Sequence, residues 1–196
     1  VDAPGWRELL PDLRHARPEE LRRGRKAGWV FSAPVIDTSR YLPWLASRVE
    51  RAGGRFVQRE VQSLDEALEA SPLVINCSGL GARELANDGR VYPIRGELVR
   101  CPPLEEQSAP DFGVWLDEHG PEIRYVVPRG DDTILGGTYE PEREDAELDP
   151  THADEIYGGC SELIEELASL KPLAHRVGWR PARDEVRLEI ETRAAT

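Results

Sequence analysis

The 196-residue sequence contains no methionine and only three cysteines. A chain without methionine does not begin at a start codon. The abrupt "VDAPGW" opening and the trailing "ETRAAT" lead us to expect a piece of a longer protein. Cys77, Cys101 and Cys160 are odd in number and widely spaced, with no C-x-x-C pair. His15, His119, His152 and His175 never fall at metal-ligand spacing. Neither a zinc site nor a disulfide framework is expected, which leaves structural cysteines in a reducing compartment. No apolar run approaches the ~18 residues of a membrane span, and no leader-like segment opens the chain. We therefore expect a soluble, cytoplasmic protein with no membrane partner. A basic surplus is missing too: the net charge is -12 and the pI near 4.9. That argues against a nucleic-acid partner, whose phosphates need an excess of Lys and Arg. It leaves room for an anionic ligand in a local basic pocket. There is no G-x-S-x-G elbow, no H-E-x-x-H and no P-loop, so hydrolase and NTPase readings lose their usual support.

What is present is ordinary for a globular protein: 39% hydrophobic and 32% charged residues. The length suits one sizeable domain or two small ones. Residues 1–27 are Pro-broken and Arg-rich and read as a connecting segment, with one short helix in "RPEELRRG". "GWVFSAPVID" and Arg55 to Val61 alternate like strands. "TSRYLPWLASRVERAGG" reads as an amphipathic helix with Leu42, Leu45 and Val49 on one face and a Gly53-Gly54 stop. "SLDEALEA" is a short helix capped at Ser63. "PLVINCSGLGARELA" has the strand–turn–helix pattern of an α/β unit.

From residue 91 the character changes. "YPIRGELVRC", "FGVWLDE", "IRYVVPRG" and "TILGGTYE" are short strands between Gly, Pro and Asp turns, which points to an antiparallel sheet. A long helix follows, with Thr151 as expected N-cap and Leu163, Ile164 and Leu167 on its apolar face. The expected fold is α+β, or α/β with an antiparallel-rich sheet and flanking helices. Its parts are 1–27 (connector), 28–90 (strand–turn–helix region) and 91–196 (sheet domain with a return strand).

The chemistry-bearing candidates are few. "CSGLGARE" holds Gly79-x-Gly81, but Glu84 occupies the place of a third glycine, so the turn is either a plain strand–helix turn or a phosphate approach. Near the end, "RVGWRPARDEVRLEIE" collects Arg176, Arg180, Arg183 and Arg187 three or four apart. On a helix these cations would stack on one face, so an extended stretch is expected. "EVRLEIE" then reads as a half-buried strand with Val186, Leu188 and Ile190 inward. Arg183 and Arg187 fit surface or structural salt bridges. Arg180, between Trp179 and Pro181, fits a rigid two-pronged hold on a carboxylate. Tyr125, on an alternating strand, is either core with its hydroxyl at the rim or a site residue.

Taken in order, "FVQREV…LVINCSGLGAREL", "VYPIRGELVR", "YVVPRGDDTILGGTYE" and "GWRPARDEVRLE" resemble the flavin-dependent D-amino-acid oxidases, from about Gly28 to Glu191. The resemblance implies FAD as cofactor and a small-molecule D-amino acid as substrate. It implies oxidation to an imino acid by hydride transfer from Cα to the flavin N5. Oxygen is then reduced to hydrogen peroxide, and the imino acid hydrolyses to a 2-oxo acid and ammonia. Arg180 then matches the arginine that binds the substrate α-carboxylate, and Tyr125 the tyrosine whose hydroxyl bonds the same group. Val61 matches a position near the adenine, and Ser78 and Gly79 the turn touching the nucleotide. The region 28–90 would be part of an FAD-binding, Rossmann-like portion, and a homo-oligomer is left open.

The sequence also departs from that family. The N-terminal G-x-G-x-x-G unit and the C-terminal Gly-rich segment are not in these residues. Some members carry a second tyrosine on a lid four residues before Tyr125, where this chain has Pro121. Either the lid is shorter, opening the pocket, or another residue takes over. D-aspartate oxidase and glycine oxidase are sister readings; a non-catalytic ligand-binding or oligomerisation module is a third. D-aspartate would need a further cation in the pocket, and of the nearby Arg124 and Arg129, alternation sends Arg124 to the opposite face.

Overall fold

The computed structural model describes residues 5, 7–22, 24–105, 115–117 and 123–193. Its centre is a six-stranded antiparallel sheet built between residues 92 and 182. One two-stranded ladder comes before it in sequence: β1, Arg14–His15, pairs with β2, Trp29–Val30. That small hairpin crosses the expected boundary after residue 27, and His15 stacks on Trp29 with ring centroids 4.0 Å apart. The spine of the main sheet is β3, Tyr92–Cys101. Along one edge β3 pairs with β6, Thr133–Gly136, and then β7, Glu140–Pro141. Along the other it pairs with β8, Ala174–Ala182. Beyond β6 lie β5, Arg124–Pro128, and β4, Trp115–Asp117. Within the described residues the four short strands form where alternation places them, and the arginine-rich return stretch is extended, not helical. Residues 112–114 and 118 of "FGVWLDE" lie outside the described residues, as does Pro121.

The described residues include four α-helices. α1, Thr38–Arg51, is capped by Asp37, whose carboxylate accepts from the Ser39 N–H at 3.0 Å. It stops at Gly53, whose φ of +84° is the left-handed turn a glycine allows. α2, Leu64–Ala70, has the expected Ser63 cap, with the Glu66 N–H donating at 3.1 Å. α3 is the single turn Ala82–Leu85. α4, Pro150–Leu163, covers one face of the sheet.

The cap of α4 is a correction. Asp149, not Thr151, closes the helix, accepting from the Thr151 N–H at 2.9 Å. Pro150 at the first position needs no donor and pre-sets the helical φ, which moves the start two residues earlier. The helix also ends sooner than expected, at Leu163, and Glu165–Ser169 continues as a 3-10 turn. Ile156, Cys160, Leu163, Ile164 and Leu167 pack on Val99, Cys101, Val126 and Leu135 as one core. Each such side chain contributes about 1.5–3 kcal/mol on burial. Burial also pushes the Cys160 thiol up to about 12, so it stays protonated and inert.

Three expected strands do not form. Arg55 to Val61 and the "PLVIN" run carry no regular structure, and of "GWVFSAPVID" only Trp29–Val30 pairs. "EVRLEIE" is likewise unpaired, and its Val186, Leu188 and Ile190 are 94%, 93% and 98% exposed rather than half-buried. An alternating pattern makes a strand only beside a partner that takes its N–H and C=O groups. Among the described residues none lies alongside these segments. No helix there is long and apolar enough to cross a membrane.

Candidate active site

Ladder register decides which side chains meet. Residues paired across antiparallel strands share a face, and so do residues two apart on one strand. Leu98 of β3 lies between Gly136 of β6 and Arg176 of β8, and Gly136 in turn pairs with Tyr125 of β5. One row across the sheet therefore reads Tyr125, Gly136, Leu98, Arg176. The next row along β3 is Gly96 with Gly178, and the one after is Ile94 with Arg180. Tyr125 and Arg180, far apart in sequence, stand on the same face, and α4 covers the other.

Glycines on that face make room for both side chains. A Cβ at Gly136 would collide with the ring and hydroxyl of Tyr125. A Cβ at Gly137 would lie 3.2 Å from the Tyr125 hydroxyl. At Gly96 it would meet Arg180 Nη1 at 2.5 Å, so the guanidinium rests directly on bare backbone. Gly136 and Gly96 are diagonal neighbours, about 7–8 Å apart in such a ladder. The tyrosine hydroxyl and the arginine fork thus lie over adjacent positions. Arg180 is exposed and has no hydrogen bond or ion pair among the described residues. Its immediate neighbours do not frame it as the sequence suggested. Alternation sends Trp179 and Pro181 to the opposite face, and Gly96 is what supports the fork.

The other arginines of that stretch are bound elsewhere. Arg183 Nε donates to both carboxylate oxygens of Asp88, at 3.2 and 3.1 Å. Arg187 Nη1 reaches the same carboxylate at 3.1 Å, and its other nitrogens pair with Glu189 and Glu191. Burial pushes Asp88 up, but the two arginines prevail and hold its pKa below the usual carboxylate range.

The α4-covered face carries a buried charge network that sequence reading did not single out. Arg95 and Glu97 have side chains with no exposed surface, and Arg95 Nη2 lies 2.6 Å from Glu97 Oε1. Arg95 also binds Glu140 and the carbonyls of Asp145 and Glu147. Glu97 receives the Asp149 N–H at the start of α4, and the His152 and His175 rings lie beside its carboxylate. His175 Nε2 is 2.5 Å from a Glu97 oxygen without hydrogen-bond alignment. Burial raises the Glu97 pKa, and Arg95, His152 and the Asp149 N–H outweigh it, so the group ends below its ordinary value. Only the "R-x-E" spacing of β3 hinted at this pair. Its partners come from β7 and α4, which the sequence cannot bring together.

The expected cofactor turn lies beside the end of β8. Ser78 precedes a 3-10 turn, Gly79–Gly81, and Gly79 takes φ +61°, which favours glycine. A Cβ there would sit 3.8 Å from Pro181 Cγ, next in sequence to Arg180. A cavity of about 470 Å³ opens at this junction, lined among others by Gly79, Val91, Tyr92, Ile94, Tyr139 and Pro181. Val61 is half-buried two residues before the Ser63 cap, and no described hydrogen bond joins it to Ser78 or Gly79.

The chain belongs to the family described as FAD dependent oxidoreductase, whose model matches residues 2–193. It is 46% identical over 191 residues to a D-amino-acid oxidase of Rubrobacter xylanophilus, covering 96% of this chain and 56% of that protein. A D-amino-acid oxidase of Streptomyces coelicolor is 41% identical, with 97% and 58% covered. A human D-aspartate oxidase is 29% identical, with 97% and 54% covered. The chain thus spans a little over half the length of the relatives it matches. Among solved structures it is similar to a glycine oxidase of Geobacillus kaustophilus, with a TM-score of 0.45 and 21% identity over 55% of this chain and 29% of that one.

Proposed function

We propose that this chain is part of an FAD-dependent D-amino-acid oxidase and carries its substrate-binding sheet. The observation that carries the reading is Tyr125 and the unpaired Arg180 on one glycine-cleared sheet face. Arg180 takes the substrate α-carboxylate with two parallel N–H donors, and the Tyr125 hydroxyl donates to the same group. A carboxylate pinned from two directions leaves the amino acid little freedom to rotate. The Cα–H of one enantiomer then faces the redox centre. FAD, when bound, supplies the acceptor for that hydride. Ser78 and Gly79 would hold part of the nucleotide, and Val61 would lie near its adenine. Residues 28–90 would belong to the FAD-binding portion and 91–196 to the substrate domain. For location we propose the cytoplasm, supported by three cysteines that form no disulfide.

The test uses the full-length FAD-loaded protein. Under anaerobic conditions D-alanine should bleach the flavin absorbance and L-alanine should not. The Arg180→Ala variant should raise the KM for D-alanine by an amount equivalent to about 2–5 kcal/mol, the cost of breaking a desolvated charge pair. A flavin that D-alanine leaves unbleached would favour the non-catalytic module, and a near-normal KM would remove Arg180 from the carboxylate.

A further inference from the structure

The sheet's cations can be sorted by face and by partner. Arg95 is buried in the network under α4. Arg124 lies against Gly159 of α4, where a Cβ would fall 2.5 Å from its Nε, and pairs with Glu162 at 3.1 Å. Arg100 and Arg129 both pair with Asp132, at 2.8 and 2.6 Å. Two arginines of the sheet remain without hydrogen bond or ion pair among the described residues: Arg180 and Arg176. Both are on β8 and both are exposed on the Tyr125 face.

Their arrangement is specific. The Arg180 fork rests over Gly96, and Gly96 has two diagonal neighbours in the Leu98 row: Gly136, under Tyr125, and Arg176. Between Arg176 and Arg180 on that face stands only Gly178, and a Cβ there would meet nothing within 4 Å. Both cations thus stand exposed on one face with bare backbone between them, open to an anion from solvent. The chain has 37 acidic residues against 25 Lys and Arg, yet among the described residues no carboxylate pairs with either arginine.

We propose that Arg176 binds the side-chain carboxylate of an acidic D-amino acid whose α-carboxylate is held by Arg180. This rests on the oxidase reading above and adds its substrate class: D-glutamate or D-aspartate. Arg180 and Tyr125 hold the end common to all substrates, and Arg176, in the Tyr125 row, reads the second charge. The cation that the neighbourhood of Tyr125 failed to supply, since Arg124 and Arg129 are both engaged, comes from the opposite edge of β3.

The experiment compares D-glutamate, D-aspartate and D-alanine as substrates of the full-length FAD-loaded protein and its Arg176→Gln and Arg176→Lys variants. Arg176→Gln should raise the KM for the better acidic substrate about tenfold or more while D-alanine kinetics stay within about twofold, and Arg176→Lys should recover part of the loss. Equal effects on all three substrates, or none on the acidic ones, would overturn the proposal. So would loss of bound flavin in Arg176→Gln, because the anion would then be a cofactor phosphate. Oxidation of D-alanine with indifference to residue 176 defeats this inference alone. Failure to oxidise any of the three defeats the oxidase reading as well.

Discussion

The two faces of one sheet handle charge in opposite ways. Under α4, Arg95 and Glu97 are fully buried, and each has several partners. On the other face Arg176 and Arg180 are exposed and have none among the described residues. The contrast follows from solvation. A buried charge must be matched within the fold because water cannot reach it, whereas an exposed one can stay free for a ligand. Residues adjacent in sequence, Arg95 and Gly96, therefore serve different ends: one ties helix to sheet, the other clears a seat for Arg180.

The largest effect should come from breaking the covered face. Arg95→Met leaves Glu97 buried without its cation, while Glu140 keeps Arg143, so urea unfolding at pH 7 should show a loss of about 3–5 kcal/mol. The pH dependence has a definite sign. With its folded pKa held down, Glu97 stabilises the protein above its unfolded value of about 4.3, and that contribution is lost as pH falls through the lower folded value. The difference between the parent protein and Arg95→Met should therefore narrow on acidification. A constant difference would mean that Arg95 acts by packing alone.

On the exposed face the effects should appear in catalysis first. Gly136→Ala forces the Tyr125 ring aside, and D-alanine turnover by the full-length protein should fall about 100-fold. Gly96→Ala meets only the far end of a flexible side chain. It should raise KM about tenfold and leave the unfolding midpoint nearly unchanged, which separates positioning from stability. Smallest is Arg183→Ala, whose partner Asp88 keeps Arg187. It should cost about 1 kcal/mol of stability and leave the KM for D-alanine as it was. A KM effect there equal to that of Arg180→Ala would erase the distinction between the two arginines.

Much of the covered face could be read from the chain. Period-two alternation located β3, β5 and β6, and Leu163, Ile164 and Leu167 marked the helical region that packs on them. The same alternation misled at Arg55 to Val61 and Val186 to Ile190, because a pattern states what a strand would bury but not whether a neighbour exists. The site was half legible. Residue type and family resemblance picked out Tyr125 and Arg180. Gly96 and Gly136 gave no local sign, since a glycine in a strand reads the same whether it marks a bend or a ligand's seat.

The sequence by itself determined the strands of the main sheet, the acidic character, the thiol chemistry and the two residues proposed to grip a carboxylate. Only the tertiary structure decided which arginines stay free, that Tyr125 and Arg180 share a face, and that Arg176 stands beside them. Those facts depend on register between β5, β6, β3 and β8. Register is set by pairing across long stretches of chain, and a shift of one residue would send each side chain to the other face.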